Sequence, residues 1–144
     1  MRLSAYSFKN VVVTIDGRPL EGFWEGDDAV SVDRRVDNVT PVVGVDGTAT
    51  ASISADDSVE ITIKLQPNSP SNRVLYNKFL QNRSGRLAPF SVSIRDTGNG
   101  EGGSAAQAVI MDSPSAQFGA NASEREWKIF ANAWQWNETR YQDL

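Results

Sequence analysis

Alternation of apolar and polar residues with a period of two restricts the fold of this chain more than any other feature. Within Val59–Leu65 every second side chain is apolar, the pattern of a strand with one buried face. Residues 90–96 repeat the pattern, with Phe90, Val92 and Ile94 on one face. Turn-favouring residues separate further predicted strands at 8–15, 20–24, 29–36, 48–55 and 108–111.

These strands predict a mainly β protein, a β-sandwich or barrel. The 144 residues supply one core of ordinary size but not two, so residues 1–144 are predicted to form a single domain. One segment departs from the period of two. Ser69-Pro70 resembles a helix start, and apolar residues then follow at helical spacing, which predicts one flanking α-helix at about residues 70–83.

Two other regions have unusual composition. Residues 38–57 contain mostly Val, Gly, Thr, Ala and Ser around the turn pair Asp46-Gly47. Small side chains pack weakly, so this stretch is predicted to be a long hairpin arm that projects from the domain and is ordered by neighbours. Residues 127–136 carry large aromatic side chains of both parities and are predicted to form a final strand covered on both faces. A helix over 124–134 is the alternative.

Composition excludes several kinds of chemistry. The chain has no cysteine and no histidine, so disulfides, thiolate zinc sites and Ser-His or Cys-His nucleophiles are all absent. No cofactor, metal site or enzymatic activity is predicted. The formal net charge of −4 argues against binding nucleic acid through basic side chains. No secretory leader and no apolar run of about 20 residues is present, so folding in a cytoplasm without membrane insertion is expected.

Three motifs that suggest chemistry are better explained by structure. Gly98, Gly100 and Gly103 match a dinucleotide-binding spacing, but a short strand follows them instead of the helix that such a site needs. The pairs Asp27-Asp28 and Asp56-Asp57 lack the spacing of a calcium loop and stand at predicted turns. The four tryptophans could form a sugar-stacking platform, although three of them lie in one strand and favour core or interface packing.

Charge is distributed unevenly along the chain. Residues 21–57 hold nine acidic residues and only two arginines, whereas the predicted helix and its exit carry bases and no acid. Those bases are Arg73, Lys78, Arg83 and Arg86. Because a weakly packed arm and separated charges both suit completion by neighbouring copies, the sequence favours self-assembly.

The chain resembles the inner tail-tube proteins of contractile-tailed bacteriophages. The resemblance covers essentially all 144 residues and depends on several strings taken together. These are Tyr6-Ser7-Phe8-Lys9-Asn10-Val11, Gly44-Val45-Asp46-Gly47, the strand 59–65, a helix that opens with Pro-Ser-Asn and contains Leu75-Tyr76, the strand 90–96, and Arg125-Glu126-Trp127.

The resemblance implies rings of six subunits that stack into a hollow tube in the virion tail, assembled in the host bacterial cytoplasm. It implies contacts with sheath, baseplate and tail terminator proteins, and DNA that passes through without specific binding. Three surfaces are expected on this basis. They are a subunit or ring interface at Pro41, Val42, Val43, Gly44, Val45, Asp46 and Gly47, an acidic lumen or stacking surface at Asp27, Asp28, Asp56 and Asp57, and an outward or inter-subunit basic helix with Arg73, Lys78, Arg83 and Arg86.

Two alternatives remain at the level of sequence. The first is another β-protein of a virion or secretion tube, which shares the fold and the logic of assembly. The second is a non-catalytic carbohydrate-binding β-sandwich, for which the tryptophans and turn acids would be the recognition residues.

Overall fold

The computed structural model describes residue 3 and residues 5–85 and 87–137. This part of the chain is mainly β with one α-helix, which confirms the predicted fold class. The strands are β1 (Val11–Ile15), β2 (Arg18–Pro19), β3 (Val30–Arg34), β4 (Val39–Val43), β5 (Ala49–Ile53), β6 (Val59–Leu65), β7 (Phe90–Asp96), β8 (Gly102–Asp112), β9 (Arg125–Asn132) and β10 (Gln135–Trp136). Helix α1 (Ser71–Arg83) lies between β6 and β7, and a 3₁₀ turn (Phe8–Asn10) precedes β1.

Eight strands form one antiparallel sheet in the order β2-β1-β7-β8-β9-β6-β3, with β10 added to β8. Strand β6 is buried at every second residue, as its period of two predicts. In the register of β6 and β9, Ile61 faces Ile129 and Ile63 faces Trp127. Side chains of β1, β6, β7, β8 and β9 share one apolar core. Since three strands separate β1 from β6 in the sheet, the sheet must curve to enclose that core.

Helix α1 begins and ends close to its predicted bounds. Leu75 is completely buried in the core, and the Trp127 Nε1–H donates to Asn72 Oδ1 at 3.0 Å. Two serines hold the start of the helix to the segment after β2. The Ser69 hydroxyl donates to the Glu21 carbonyl, and the Glu21 N–H donates to Ser71 Oγ at 2.9 Å.

Those serine contacts explain why the predicted strand at 20–24 is wrong. Gly22 has φ +74, which interrupts an extended backbone, and side chains satisfy the backbone groups of Glu21. Only an isolated bridge between Phe23 and Leu65 remains. The predicted strand at 8–15 is also too long, because its first residues form the 3₁₀ turn, and the strand predicted at 29–36 ends at Arg34.

The predicted loop at 97–104 and the short strand at 108–111 are replaced by a tight turn and the eleven-residue strand β8. The first half of β8 has small side chains, so it gave no periodic signal. The predicted strand at 127–136 is interrupted, because Ala133 has φ +52. This turn reverses the parity and buries Trp134, while Ala133 is exposed. The alternative helix at 124–134 is wrong, since those residues are mostly in β9.

Candidate assembly surface

The arm predicted at residues 38–57 is a separate two-stranded sheet of β4 and β5. All ten residues of these strands are exposed, including Val42 (62%), Val43 (65%) and Ile53 (79%). A two-stranded hairpin is at best marginally stable by itself in water. The arm therefore presents apolar surface that the chain does not use for its own core.

The tip of the arm is built by a defined turn. The Gly47 N–H donates to the Gly44 carbonyl at 3.0 Å, and Gly47 has φ +88, a conformation that glycine adopts without strain. The Thr48 N–H donates to Asp46 Oδ1 at 3.0 Å. This backbone hydrogen bond lowers the pKa of Asp46, so its carboxylate stays ionised beside the fully exposed Val45.

Arg34 fastens the base of the arm, a role that sequence reasoning missed. Its Nη2 donates to the Asp56 carbonyl at 3.0 Å, and its Nε donates to the Val36 carbonyl at 3.2 Å. Its Nη1 lies 3.5 Å from Asp57 Oδ1. The two chain segments that enter and leave the arm are thus joined by one guanidinium. The sequence feature that could have indicated this role is the pair Arg34-Arg35 within an otherwise acidic region.

The four predicted acidic residues do not form one cluster. Asp56 and Asp57 precede β6, whereas Asp28 pairs with Lys64 near the end of β6, at 2.8 Å. Hydrogen bonding to Lys64 lowers the pKa of Asp28, and hydrogen bonds from Ser58 lower the pKa of Asp56. Three of these carboxylates therefore contact their own chain, and Asp27 is exposed in the turn.

The predicted basic residues of the helix differ in their surroundings. Arg73 and Arg83 are exposed on α1, and neither forms an ion pair within the described residues. Lys78 instead pairs with Asp16 and lies 5.9 Å from the centre of the Phe90 ring. Arg86 lies outside the described residues. Within the described residues, the helix therefore has two arginines without an ion pair, whereas its lysine pairs with Asp16.

Asp16 connects three elements and predicts a pH dependence of stability. Hydrogen bonding to Lys78, then to the Ser91 N–H (2.9 Å), lowers the pKa of Asp16 from its usual value. A carboxyl whose pKa is lowered by folding stabilises the protein above its unfolded pKa, and this stabilisation disappears as the pH falls through the folded pKa. We expect Asp16→Asn to lower Tm by a few degrees at pH 7, and by much less near pH 3, in thermal melts.

Asparagine suits this test because Asp16 has φ +50, a conformation that asparagine tolerates. Asp27→Asn is the control, because Asp27 is an exposed turn residue with no side-chain hydrogen bond in the described chain. An equal loss of Tm for Asp16→Asn at both pH values would contradict the role of the charge.

The tryptophans are placed for packing and do not form a sugar-stacking platform. Trp127 and Trp134 are buried, and Trp24 and Trp136 are partly buried, so none offers an exposed platform. Across residues 3, 5–85 and 87–137, no group of three acidic side chains is placed to hold a metal ion. No helix in the same ranges is long and apolar enough to cross a membrane. The exposed apolar arm and the arginines of α1 that have no ion pair within the described residues indicate a structural protein with surface available for protein contacts.

Comparison with known proteins identifies the family. The profile of the bacteriophage PhiTE tail tube protein family matches residues 3–136, and the chain belongs to this family of structural proteins of contractile tail-like systems. The structural protein ORF10 of Pseudomonas phage KPP10 is 30% identical over 136 residues, which cover 89% of this chain and 78% of that protein.

Solved structures have the same fold at low sequence identity. A chain of the PVC extracellular contractile injection system, in its sheath/tube terminator in the extended state, has a TM-score of 0.64 at 14% identity, covering 94% of this chain and 98% of that chain. A chain of the PVC sheath–tube complex in the extended state has a TM-score of 0.63 at 15% identity, covering 92% and 91%.

Proposed function

We propose that this chain is the subunit of the inner tube of a contractile phage tail, where six copies form a ring and rings stack into a conduit for DNA. The family match over residues 3–136 carries this proposal. The exposed arm supports it, because a monomer gains nothing from ten exposed strand residues. The sheath, baseplate and terminator proteins are the proposed partners, and the host bacterial cytoplasm is the proposed place of assembly.

Sheet edges supply the physical reason for ring formation. β2 has only two residues, and β3 pairs with β6 alone, so the outer backbone groups of β3 have no strand partner within the described chain. Joining such edges between subunits removes unpaired backbone groups that would otherwise promote uncontrolled aggregation. An acidic chain also suits a DNA conduit, because phosphates bind through lysine and arginine.

Deletion of residues 40–47 tests the role of the arm. We expect a folded protein whose Tm is close to that of the full chain, because no residue of β4 or β5 is buried. We expect this deletion variant to form no tubes in negative-stain electron microscopy. A matched control exchanges the cross-strand pair Thr40 and Ser52 and should leave tubes intact.

Two results would argue against the proposal. Normal tubes from the deletion variant would exclude an essential role of the arm. A full chain that stays monomeric at high concentration and with baseplate added would exclude the tube itself.

A further inference from the structure

A shallow, open pocket of about 360 Å³ lies on the surface where β6 and β8 end and β9 begins, beside the first turns of α1. Its walls are apolar and aromatic, and two arginines stand among them. The lining side chains that matter are Pro67, Arg73, Tyr76, Pro114, Arg125 and Trp127. Of the described residues that line it, none is acidic.

The two arginines of the pocket differ in their contacts. Arg125 is held in place, because its Nη1 donates to the Ser123 carbonyl at 3.1 Å and its guanidinium lies 5.8 Å from the centre of the Phe118 ring. Phe118 is 90% exposed and is not itself a lining residue of the pocket. Arg73 has no ion-pair partner in the described chain. The pocket thus suits a ligand that carries an apolar group next to a carboxylate.

The tip of the arm has this chemistry. Val45 is fully exposed, and Asp46 follows it with an ionised carboxylate that accepts a hydrogen bond from the Thr48 N–H and forms no ion pair within the described residues. Residues 38–57 contain neither lysine nor arginine. The tip therefore brings an apolar side chain and a negative charge to a pocket with apolar walls and positive charge, without like-charge repulsion.

A subunit cannot fill its own pocket with its own arm. The arm leaves the domain where β6 begins, since Arg34 faces Val59 in the sheet and holds the base of the arm. The pocket lies beyond the other end of β6, after Leu65. The seven residues of β6 separate the two sites by roughly 20 Å, and the exposed arm does not fold back along the domain.

We infer that the arm tip of one copy docks in this pocket of the next copy, with Val45 against Tyr76 and the two prolines and Asp46 beside Arg73. The inference rests on the proposed function, because it assigns a receptor to the arm. A contact between opposite ends of identical subunits is head-to-tail, so it repeats from copy to copy instead of closing a pair. Such a contact gives the stack of subunits a direction.

Disulfide trapping tests the docking directly, because the chain has no cysteine. We expect Val45→Cys combined with Pro114→Cys to give a reducible ladder of covalent oligomers on a non-reducing gel after mild oxidation. A disulfide needs Cα atoms within about 7 Å, and it captures even brief contacts, so stable tubes are not required. Val45→Cys with Gln81→Cys is the control, since Gln81 is exposed on α1 about 140° around the helix from Tyr76, and it should give no ladder.

A double-mutant cycle tests the charge pair. Asp46→Asn keeps the acceptor for Thr48, and Arg73→Gln keeps the polarity of the helix surface. Each change should raise the protein concentration at which half of the chain sediments as tubes by about threefold to tenfold. The two changes together should have no larger effect than either one, because both remove the same contact.

The outcomes separate this inference from the proposed function. A ladder no stronger than the control, or fully additive effects of the two substitutions, would overturn docking in this pocket. If residues 40–47 were still essential for tubes, the arm would have another receptor and the proposed function would stand. If the full chain formed no tubes with baseplate present, the proposed function itself would fail.

Discussion

Replacing Gly102 with alanine should lower the free energy of unfolding by about 3 kcal/mol. A Cβ atom at this position would lie 2.3 Å from the Ile94 carbonyl oxygen and 2.8 Å from the Arg95 Cα. Both atoms belong to the backbone of β7, so no side chain can move aside to make room. The substitution must separate β7 from β8 where β8 begins. Equilibrium denaturation in urea should measure the resulting loss of stability.

Gly119→Ala is the matched control, because nothing lies within 4 Å of a Cβ atom there. It should change the free energy of unfolding by less than about 0.5 kcal/mol. Equal stability of the Gly102 and Gly119 variants would mean that β8 does not approach β7 as described.

The second large effect is expected at Trp127, where alanine should cost about 3–5 kcal/mol. This side chain is 2% exposed and contributes the largest fully buried volume of the core. It also donates a hydrogen bond to Asn72 and so attaches the helix to β9. The denaturation midpoint of Trp127→Ala should fall accordingly, and the near-ultraviolet circular dichroism of the protein should weaken, because one of its two buried indoles is lost.

Trp127→Phe separates the two contributions of Trp127. It retains most of the apolar volume and loses the hydrogen bond to Asn72, so a cost of about 1–3 kcal/mol is expected. Phe118→Ala is the control for loss of an aromatic side chain, because Phe118 is 90% exposed and should matter little for folding. A Phe118 variant as unstable as Trp127→Ala would contradict the assignment of the core.

Sequence patterns predicted the elements that have strong periodicity. Val59–Leu65 alternates strictly and forms the buried strand β6, and the helix is found within one residue of its predicted bounds. The arm was also predicted, because the small side chains of a hairpin around Asp46-Gly47 can bury little apolar surface in a core. Family resemblance, based on strings spread along the whole chain, agrees with the family match over 3–136.

Sequence reasoning failed where distant residues decide local structure. In the sequence, the first half of β8 resembles a flexible loop. Its glycines are required because β7 approaches closely and leaves no room for a Cβ atom at Gly102, and this approach cannot be inferred from the sequence of one segment. Glycine is required at position 103 for a similar reason, since a Cβ atom added there would lie 2.6 Å from the Trp134 ring. The clamp by Arg34 and the pairing of Lys78 with Asp16 join residues 22 and 62 positions apart, which composition cannot reveal.

For the proposed tube, the fully exposed hairpin of β4 and β5 would affect how assembly begins. In water, the hydrogen bonds of a two-stranded ribbon barely offset the conformational entropy that is lost when the ribbon becomes ordered. The first contact between two copies must also order the ribbon, so the net binding free energy of that contact is reduced. A subunit that joins an existing end meets several partners at once and offsets that cost, whereas two free subunits do not. The proposed tube is therefore expected to nucleate slowly and elongate fast, which would favour a few long polymers over many short ones.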